Sequence, residues 1–316
     1  MILVTGASGL LGSAVCVALR AKGIPYFAQL GSGAGRVLIT AVHAHARLRA
    51  VGNLCNREDC KSLFLPPLFP RDRVTAVIHC AARISGVAGQ LADPSAAVTD
   101  NLCMTAQLLE AAAKAEPQPK RFVFLSSSTV YEPVNYPVDE DGHKVNGRGH
   151  YAGVGDMKLY LESLCSFYSD KFDLRTTILR PTAIYGPGDR SAHVIPDLIR
   201  QAWIAPSRSV LLRGANDVRD FVYVDDVAEA CVLAATRTAY VTGPYNIGAG
   251  SPTTLRALAR AIQPDWEIVD GGPGASIPYR QVEIGRAKQM LDWAPKTALK
   301  DGIEKTVAWM RERARS

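Results

Sequence analysis

Short apolar runs separated by stretches of mixed polarity mark the chain up to Leu125. Met1–Thr5 (M-I-L-V-T), Tyr26–Leu30, Leu48–Val51, Val74–His79 and Arg121–Leu125 (R-F-V-F-L) read as strands. Strands covered on both faces are apolar along their whole length rather than at alternate positions. The intervening Ser13–Ala21, Arg57–Phe64 and Ala96–Lys114 have helical character, and Tyr151–Tyr168 and Val227–Ala235 extend the series. Asp225 and Asp226 precede the last of these and read as its caps. His79 closes the fourth strand and reads as a structural residue at a strand end.

The junction of the first strand with the first helix carries candidate chemistry. Residues 6–12 read G-A-S-G-L-L-G. Gly6 permits the tight turn, Gly9 lets the backbone approach a pyrophosphate, and Gly12 lets helix and strand pack closely. The helix N-terminus adds N–H groups and a partial positive charge. Dinucleotide binding by Gly6, Ser8, Gly9, Leu10, Leu11 and Gly12 is the expectation. In an NAD site an acid near the end of the second strand holds the adenosine ribose. None is present here. Glu58 is the first acidic residue, and Arg20, Lys22, Arg36, Arg47, Arg49 and Arg57 all precede it. Arg36 is the best placed for a 2′-phosphate, which favours NADP(H). The other reading is NAD bound without the acid, these cations being solvated surface charge. Asn53 and Leu54 sit where they flank an adenine. The small residues Cys80, Ala81 and Ala82 let the backbone approach the cofactor's pyrophosphate and ribose.

The 316 residues allow one large domain or two moderate ones. The net charge of +6 is diffuse; it does not point to nucleic acid and suits an anionic small substrate. Seven scattered cysteines without a C-x-x-C pair argue against a disulfide framework or a zinc site and for a reducing cytoplasm. The first strand begins at residue 2, so no signal peptide is expected. No apolar run approaches membrane-spanning length, so no membrane partner is expected.

With these motifs in view, the chain resembles the extended short-chain dehydrogenase/reductases of the nucleotide-sugar epimerase/dehydratase family. The resemblance covers nearly the whole length. It includes T-G-A-S-G-L-L-G (5–12), H-C-A-A (79–82), N-L-C-M-T-A-Q-L-L-E-A-A (101–112) and S-S-S-T-V-Y (126–131). Further on come R-P-T-A-I-Y-G-P-G-D (180–189), R-D-F-V-Y-V-D-D-V-A (219–228), Y-N-I-G-A-G (245–250), D-W-A-P (292–295) and D-G-I-E-K-T (301–306). Within the family, A-A-R-I-S-G-V-A-G (81–89) and S-A-H-V-I-P (191–196) resemble the GDP-fucose synthase branch, an NADPH-using epimerase-reductase.

The resemblance implies an α/β fold: a Rossmann-type doubly wound parallel sheet with a smaller C-terminal substrate-binding lobe. The dinucleotide-binding domain would span 1–175 with returning segments at about 219–248. The lobe would take about 176–218 and 249–316, with ligands in the cleft between them. The implied activity is NAD(P)-dependent epimerisation of a nucleotide sugar through hydride transfer and a keto-sugar intermediate. An NADPH-dependent keto-sugar reductase and a catalytically decayed cofactor-binding sensor or scaffold are the alternatives. Asn101 and Pro181 join the implied cofactor set. A homodimer would form through the helices Ala96–Lys114 and Tyr151–Tyr168, with Leu102, Met104, Leu108, Leu159 and Leu164.

The family's catalytic serine falls on Ser127 and its lysine, which binds the nicotinamide ribose, on Lys158. The tyrosine that usually moves the proton is Val154, which cannot. Tyr151 lies three residues earlier, on roughly the same helical face but about 5 Å away along the axis. It is the first candidate relay, with Ser128 and Thr129 as the next. The Asp-Glu pair of the 4,6-dehydratases would occupy 128 and 129 and is absent, which disfavours elimination. A fucose-synthase-type epimerase would place Cys at Thr129 and His at Gly188, and neither is present. On the substrate side, Arg219 matches the arginine that pairs with the diphosphate. The family's diphosphate-binding Asn is Ala183 here. The Arg of its R-P-G-D motif is Gly272, with Arg280 as a compensating cation, and the Val194 backbone would face the base.

Overall fold

The computed structural model describes residues 1–30, 46–49, 52–65, 73–83, 93–142, 144, 152–204, 208–237, 243–274 and 277–315. Arg36 and Tyr151 lie outside them. The chain divides into two compact units.

The first unit comprises Met1–Ser127, Asp156–Arg180 and Ala228–Pro244. Its strands are β1 (Ile2–Thr5), β2 (Tyr26–Gln29), β3 (Ala46–Arg49), β4 (Ala76–His79), β5 (Arg121–Leu125) and β6 (Arg175–Pro181). All pair in parallel, in the order β6-β5-β4-β1-β2-β3. The chain moves outward from β1 to β3, returns to the other side of β1, and moves outward again to β6. The reversal between β1 and β4 is the switch point at which doubly wound sheets take ligands, beyond the strands' carboxyl ends. Every residue of β1 and of β4 is buried, which accounts for their predominantly apolar sequences.

The first unit contains α1 (Leu10–Ala21), α2 (Arg57–Ser62), α3 (Pro94–Ala113) and, from Asp156 on, α4 (Ala152–Phe172). Helix α1 stops at Gly23, whose φ of +66° suits glycine. Asn56 starts α2 by accepting the N–H groups of Glu58 and Asp59. Asp93 starts α3, with Pro94 in the first turn. The third strand lies two residues earlier than its apolar run suggests, because its pairing with Tyr26–Gln29 sets its limits. Leu108, expected at a dimer face, is fully buried and belongs to the core.

The second unit comprises Ser128–Gly155, Pro181–Val227 and Tyr245–Ser316. It contains β7 (Ala183–Tyr185), α5 (Val194–Ile204), β8 (Ser209–Leu212) and β9 (Val218–Tyr223), followed by the start of α6 (Val224–Thr236). Then come β10 (Tyr245–Ile247), β11 (Pro252–Thr254), α7 (Leu255–Ile262), β12 (Glu267–Asp270), β13 (Tyr279–Arg280) and α8 (Leu299–Arg315). Strand β9 is the hub: β11 pairs with it antiparallel, and β7 and β13 in parallel. Helices α5, α7 and α8 pack on one another.

Helix α6 begins at Val224, so Asp225 and Asp226 lie in its first turn rather than ahead of it. Asp226 is structural in a different way from a cap. Its carboxylate accepts the N–H groups of Lys296 (3.1 Å) and Thr297 (3.0 Å), and its carbonyl accepts the buried Trp293 indole (2.8 Å). The D-D and D-W-A-P motifs therefore meet. Asn246 organises a second cluster. It accepts the Tyr131 hydroxyl (2.6 Å), donates through Nδ2 to the Val138 and Glu283 carbonyls, and donates its backbone N–H to Glu140. Among the described residues, no helix is long and apolar enough to cross a membrane.

Candidate cofactor and sugar-nucleotide sites

The glycine turn is built as the spacing predicts. Gly6 has φ +64°, and a Cβ there would lie 2.6 Å from the Ala81 Cα and 2.7 Å from its N. A Cβ on Gly12 would overlap the Gly6 carbonyl oxygen and stand 2.9 Å from the Ala7 Cα. Gly9 differs: its Cβ would meet only Gly6 O, at 3.3 Å, so a side chain there would fill the space in front of α1. Among the described residues no side chain caps α1, and no acid sits in its first turn. Among them, no side-chain cap therefore competes with an anion for its leading N–H groups. Ser8 and Gly9 are exposed, and Leu10 and Leu11 half-buried. These residues fit a dinucleotide pyrophosphate.

Where an acid would end β2, the buried Gln29 does something else. Its Oε1 accepts the Gly6 N–H (3.2 Å), and its Nε2 donates to the Leu30 (2.6 Å) and Gly52 (3.1 Å) carbonyls. One amide ties the glycine turn to the segment of Asn53 and Leu54. Asn53 is exposed, its N–H held by Asp59 (2.7 Å), whereas Leu54 is a core residue. Cys80 is half-buried, and burial pushes its thiol pKa up. The Ala81 N–H reaches the Thr5 hydroxyl (3.3 Å), and Ala82 is exposed. The Asn101 side chain brackets the Arg83 backbone, accepting its N–H (2.8 Å) and donating to its carbonyl (3.0 Å). Asn101 therefore shapes the strand end. His79 is fully enclosed, Nδ1 on the Thr5 hydroxyl (2.8 Å) and Nε2 on that of Thr105 (3.1 Å). Burial lowers its pKa to about 3, so it stays neutral.

At the end of β5, Ser127 is half-buried between the buried Ser126 and Ser128. Lys158 on α4 donates to the Leu125 carbonyl (2.6 Å), with its ammonium 4.9 Å from the Phe124 ring centroid. Burial lowers its pKa to about 8, against the opposing pull of the Glu162 carboxylate. Glu162 pairs with Arg180 and accepts the Ser126 hydroxyl. Val154 is half-buried within α4. The sequence offered one signal for the Glu162–Arg180 pair: a charge inside the apolar run T-T-I-L-R-P of β6 demands a buried partner.

The second unit holds the residues assigned to the sugar nucleotide. Arg219 on β9 and Arg280 on β13 are register partners on adjacent strands. The Arg219 guanidinium donates to the Val218 carbonyl (2.8 Å) and meets Asp217 (3.3 Å). Arg280 donates to the carbonyls of Ser128 and Tyr131, and so braces the turn after Ser127. Ala183 is exposed at the start of β7, and Val194 is half-buried at the start of α5. Gly272 has φ +84° with nothing within 4 Å of an added Cβ, so conformation rather than space excludes an arginine there. Pro181 ends β6.

Such a sheet order, with a glycine turn at its switch point, defines a dinucleotide-binding α/β protein. The chain belongs to the NAD dependent epimerase/dehydratase family, whose model matches residues 2–248. Among curated relatives, a UDP-glucose 4-epimerase of Mycolicibacterium smegmatis is 29% identical over 99% of each chain. A putative GDP-L-fucose synthase of Oryza sativa is 31% identical over 72% of this chain and 69% of its own. Among solved structures, the UDP-glucose 4-epimerase of Thermotoga maritima with UDP-glucose superposes with a TM-score of 0.84, at 26% identity over 99% of both chains. A UDP-glucuronic acid 4-epimerase of Bacillus cereus, with UDP-glucuronic acid and NAD, gives 0.82 at 25% identity over 99% of both.

Proposed function

We propose that this chain is an NAD(P)-dependent nucleotide-sugar epimerase acting through a keto-sugar intermediate. The observation that carries the reading lies at one edge of the first unit. The strands are parallel, so Gly6 after β1, Cys80–Ala82 after β4 and Ser127 after β5 all leave at the carboxyl edge, where Lys158 also reaches Leu125. A dinucleotide cradle, a hydroxyl and an ammonium there match oxidation and re-reduction of a carbinol.

Gly6, Ser8, Gly9, Leu10, Leu11 and Gly12 would hold the pyrophosphate of the cofactor, and Cys80–Ala82 would flank it. Asn53 and Leu54 would flank the adenine, Asn101 and Pro181 would border the site, and Lys158 would hold the nicotinamide ribose. Arg36 is the residue we assign to a 2′-phosphate, which favours NADP(H). When bound, the nicotinamide supplies hydride acceptance and return. Ser127 orients the substrate hydroxyl. Its proton leaves through Ser127 to Tyr151 or to water, since Val154 carries no acid or base. Ser128 is buried and second in line. Arg219 and Arg280, with Ala183 and the Val194 backbone, would hold the nucleotide diphosphate. The two arginines, the UDP-glucose and UDP-glucuronic acid held by the two solved relatives, and the GDP-L-fucose synthase among the curated relatives support a UDP- or GDP-sugar. The seven free thiols support a reducing cytoplasm, and a homodimer completes the reading.

The test is incubation with UDP- and GDP-sugars and either cofactor, followed by chromatography of the products. We expect inversion at one sugar carbon with no net cofactor consumption. Stoichiometric NADPH oxidation instead would establish the reductase reading, which the GDP-L-fucose synthase relatives favour. Val154 favours a sensor. Cofactor binding without turnover of any sugar would establish that reading.

A further inference from the structure

Glu162 lies inside the first unit, one helical turn beyond Lys158 on α4. Its carboxylate accepts the Ser126 hydroxyl (2.5 Å) and two nitrogens of Arg180 (2.9 and 2.6 Å), and all three residues are buried. The Ser126 N–H donates to the Leu179 carbonyl (2.7 Å), while Lys158 holds the Leu125 carbonyl (2.6 Å). The two residues preceding Ser127 are therefore each fixed, one by Lys158 and one by Glu162. The fork of Arg180 in turn fixes the carboxylate's orientation. Replacing a buried ion pair by apolar residues is often neutral or stabilising, so stability alone does not account for this one.

We propose that Glu162 is a positioning residue: through Ser126 it sets the direction of the Ser127 hydroxyl, and through its charge it holds the Lys158 ammonium. This rests on the roles assigned above to Ser127 and Lys158. The groups facing Lys158 are Glu162 and Cys165 on its own helix, the neutral His79 on β4 and the Phe124 ring on β5. Burial pushes the Cys165 thiol far up, so it carries no charge. Glu162 is thus the one anion in this set. Burial pulls the Lys158 pKa down to about 8, and removing the anion lowers it further.

The test needs no substrate. NADH and NADPH affinities, measured by nicotinamide fluorescence from pH 6 to 10, should fall in the wild type as pH rises through about 8. In Glu162→Gln that limb should move about one pH unit lower. In Ser126→Ala, which keeps the ion pair, the limb should stay while the amides of 126–128 exchange hydrogen faster. An unmoved limb in folded Glu162→Gln overturns the charge role, as does a wild type with no alkaline limb. Unchanged exchange in Ser126→Ala overturns the positioning role. If Glu162→Gln fails to fold, the exchange of Ser126→Ala decides alone. Failure to epimerise any sugar ends the enzyme reading and leaves these results standing.

Discussion

Replacing Gly12 by alanine sets two effects against each other. Gly12 is the third residue of α1, buried, with ordinary helical backbone. On propensity alone, alanine would stabilise the helix by about 1 kcal/mol. Against this, the new methyl group would overlap the Gly6 carbonyl oxygen and lie 2.9 Å from the Ala7 Cα. Those atoms cannot rotate away. They belong to a turn held by Ala7 N–H on the Gln29 carbonyl (3.0 Å) and Gly9 N–H on the Gly6 carbonyl (2.9 Å). Overpacking costs about 1–3 kcal/mol, and a collision with backbone belongs at the upper end. The net expectation is a loss of roughly 2 kcal/mol, or a Tm lower by about 4–8 °C at the size scaling of mid-sized domains. The displaced turn should also weaken NADPH binding about tenfold, equivalent to roughly 1.4 kcal/mol. Gly285→Ala is the control. Its added Cβ meets nothing within 4 Å, so it should be neutral or stabilising by up to about 1 kcal/mol. Scanning fluorimetry with and without NADPH reads both. A Gly12→Ala protein melting at or above the wild type would refute the close packing of α1 on the Gly6 turn.

His79, with its pKa lowered by burial from 6.5 to about 3, binds a proton more weakly in the folded chain than in the unfolded one. Its contribution to stability is complete above pH 6.5 and is lost as pH falls toward 3. His79→Gln should flatten the pH dependence of the urea midpoint in that window, by up to about 1.4 kcal/mol per pH unit. Asp226→Ala strands the N–H groups of Lys296 and Thr297 and should cost about 1–3 kcal/mol in urea unfolding. NADPH should bind more tightly than NADH, and Arg36→Ala should remove the difference; equal affinities in the wild type would show that this segment does not read the phosphate. Tyr160 (61% exposed) and Phe167 (49%) on α4 should lie in a dimer interface. Sedimentation at micromolar concentration should show a dimer that Tyr160→Glu with Phe167→Glu disrupts, and a wild type that is only monomeric would end the idea.

The sheet was legible because its signal is local. A strand buried on both faces is apolar over most of its length, so β5 falls on its run residue for residue, and β1 and β4 fall within theirs. The glycine turn was legible because φ and close approach restrict residue type at fixed offsets. Helix starts were less so: the Asp225-Asp226 pair looks like a cap, yet it sits inside α6 and Asp226 reaches residues some seventy positions away. The same holds for Glu162 with Arg180, for Asn246 with Tyr131 and Glu140, and for Gln29 with Gly52. Periodicity shows which face is buried. It does not show which polar group a buried polar side chain will meet, because that partner is brought by the tertiary fold.

Gln29 has a consequence for how the cofactor preference of this chain could be changed. Its amide nitrogen faces two carbonyl oxygens, Leu30 and Gly52, while its oxygen faces the Gly6 N–H. A carboxylate of the same length would keep the last contact and set its second oxygen against both carbonyls, a repulsive arrangement in a buried place. Gln29→Glu is therefore disfavoured as a way to gain an acid for the adenosine ribose, and such an acid would be better placed beyond residue 29.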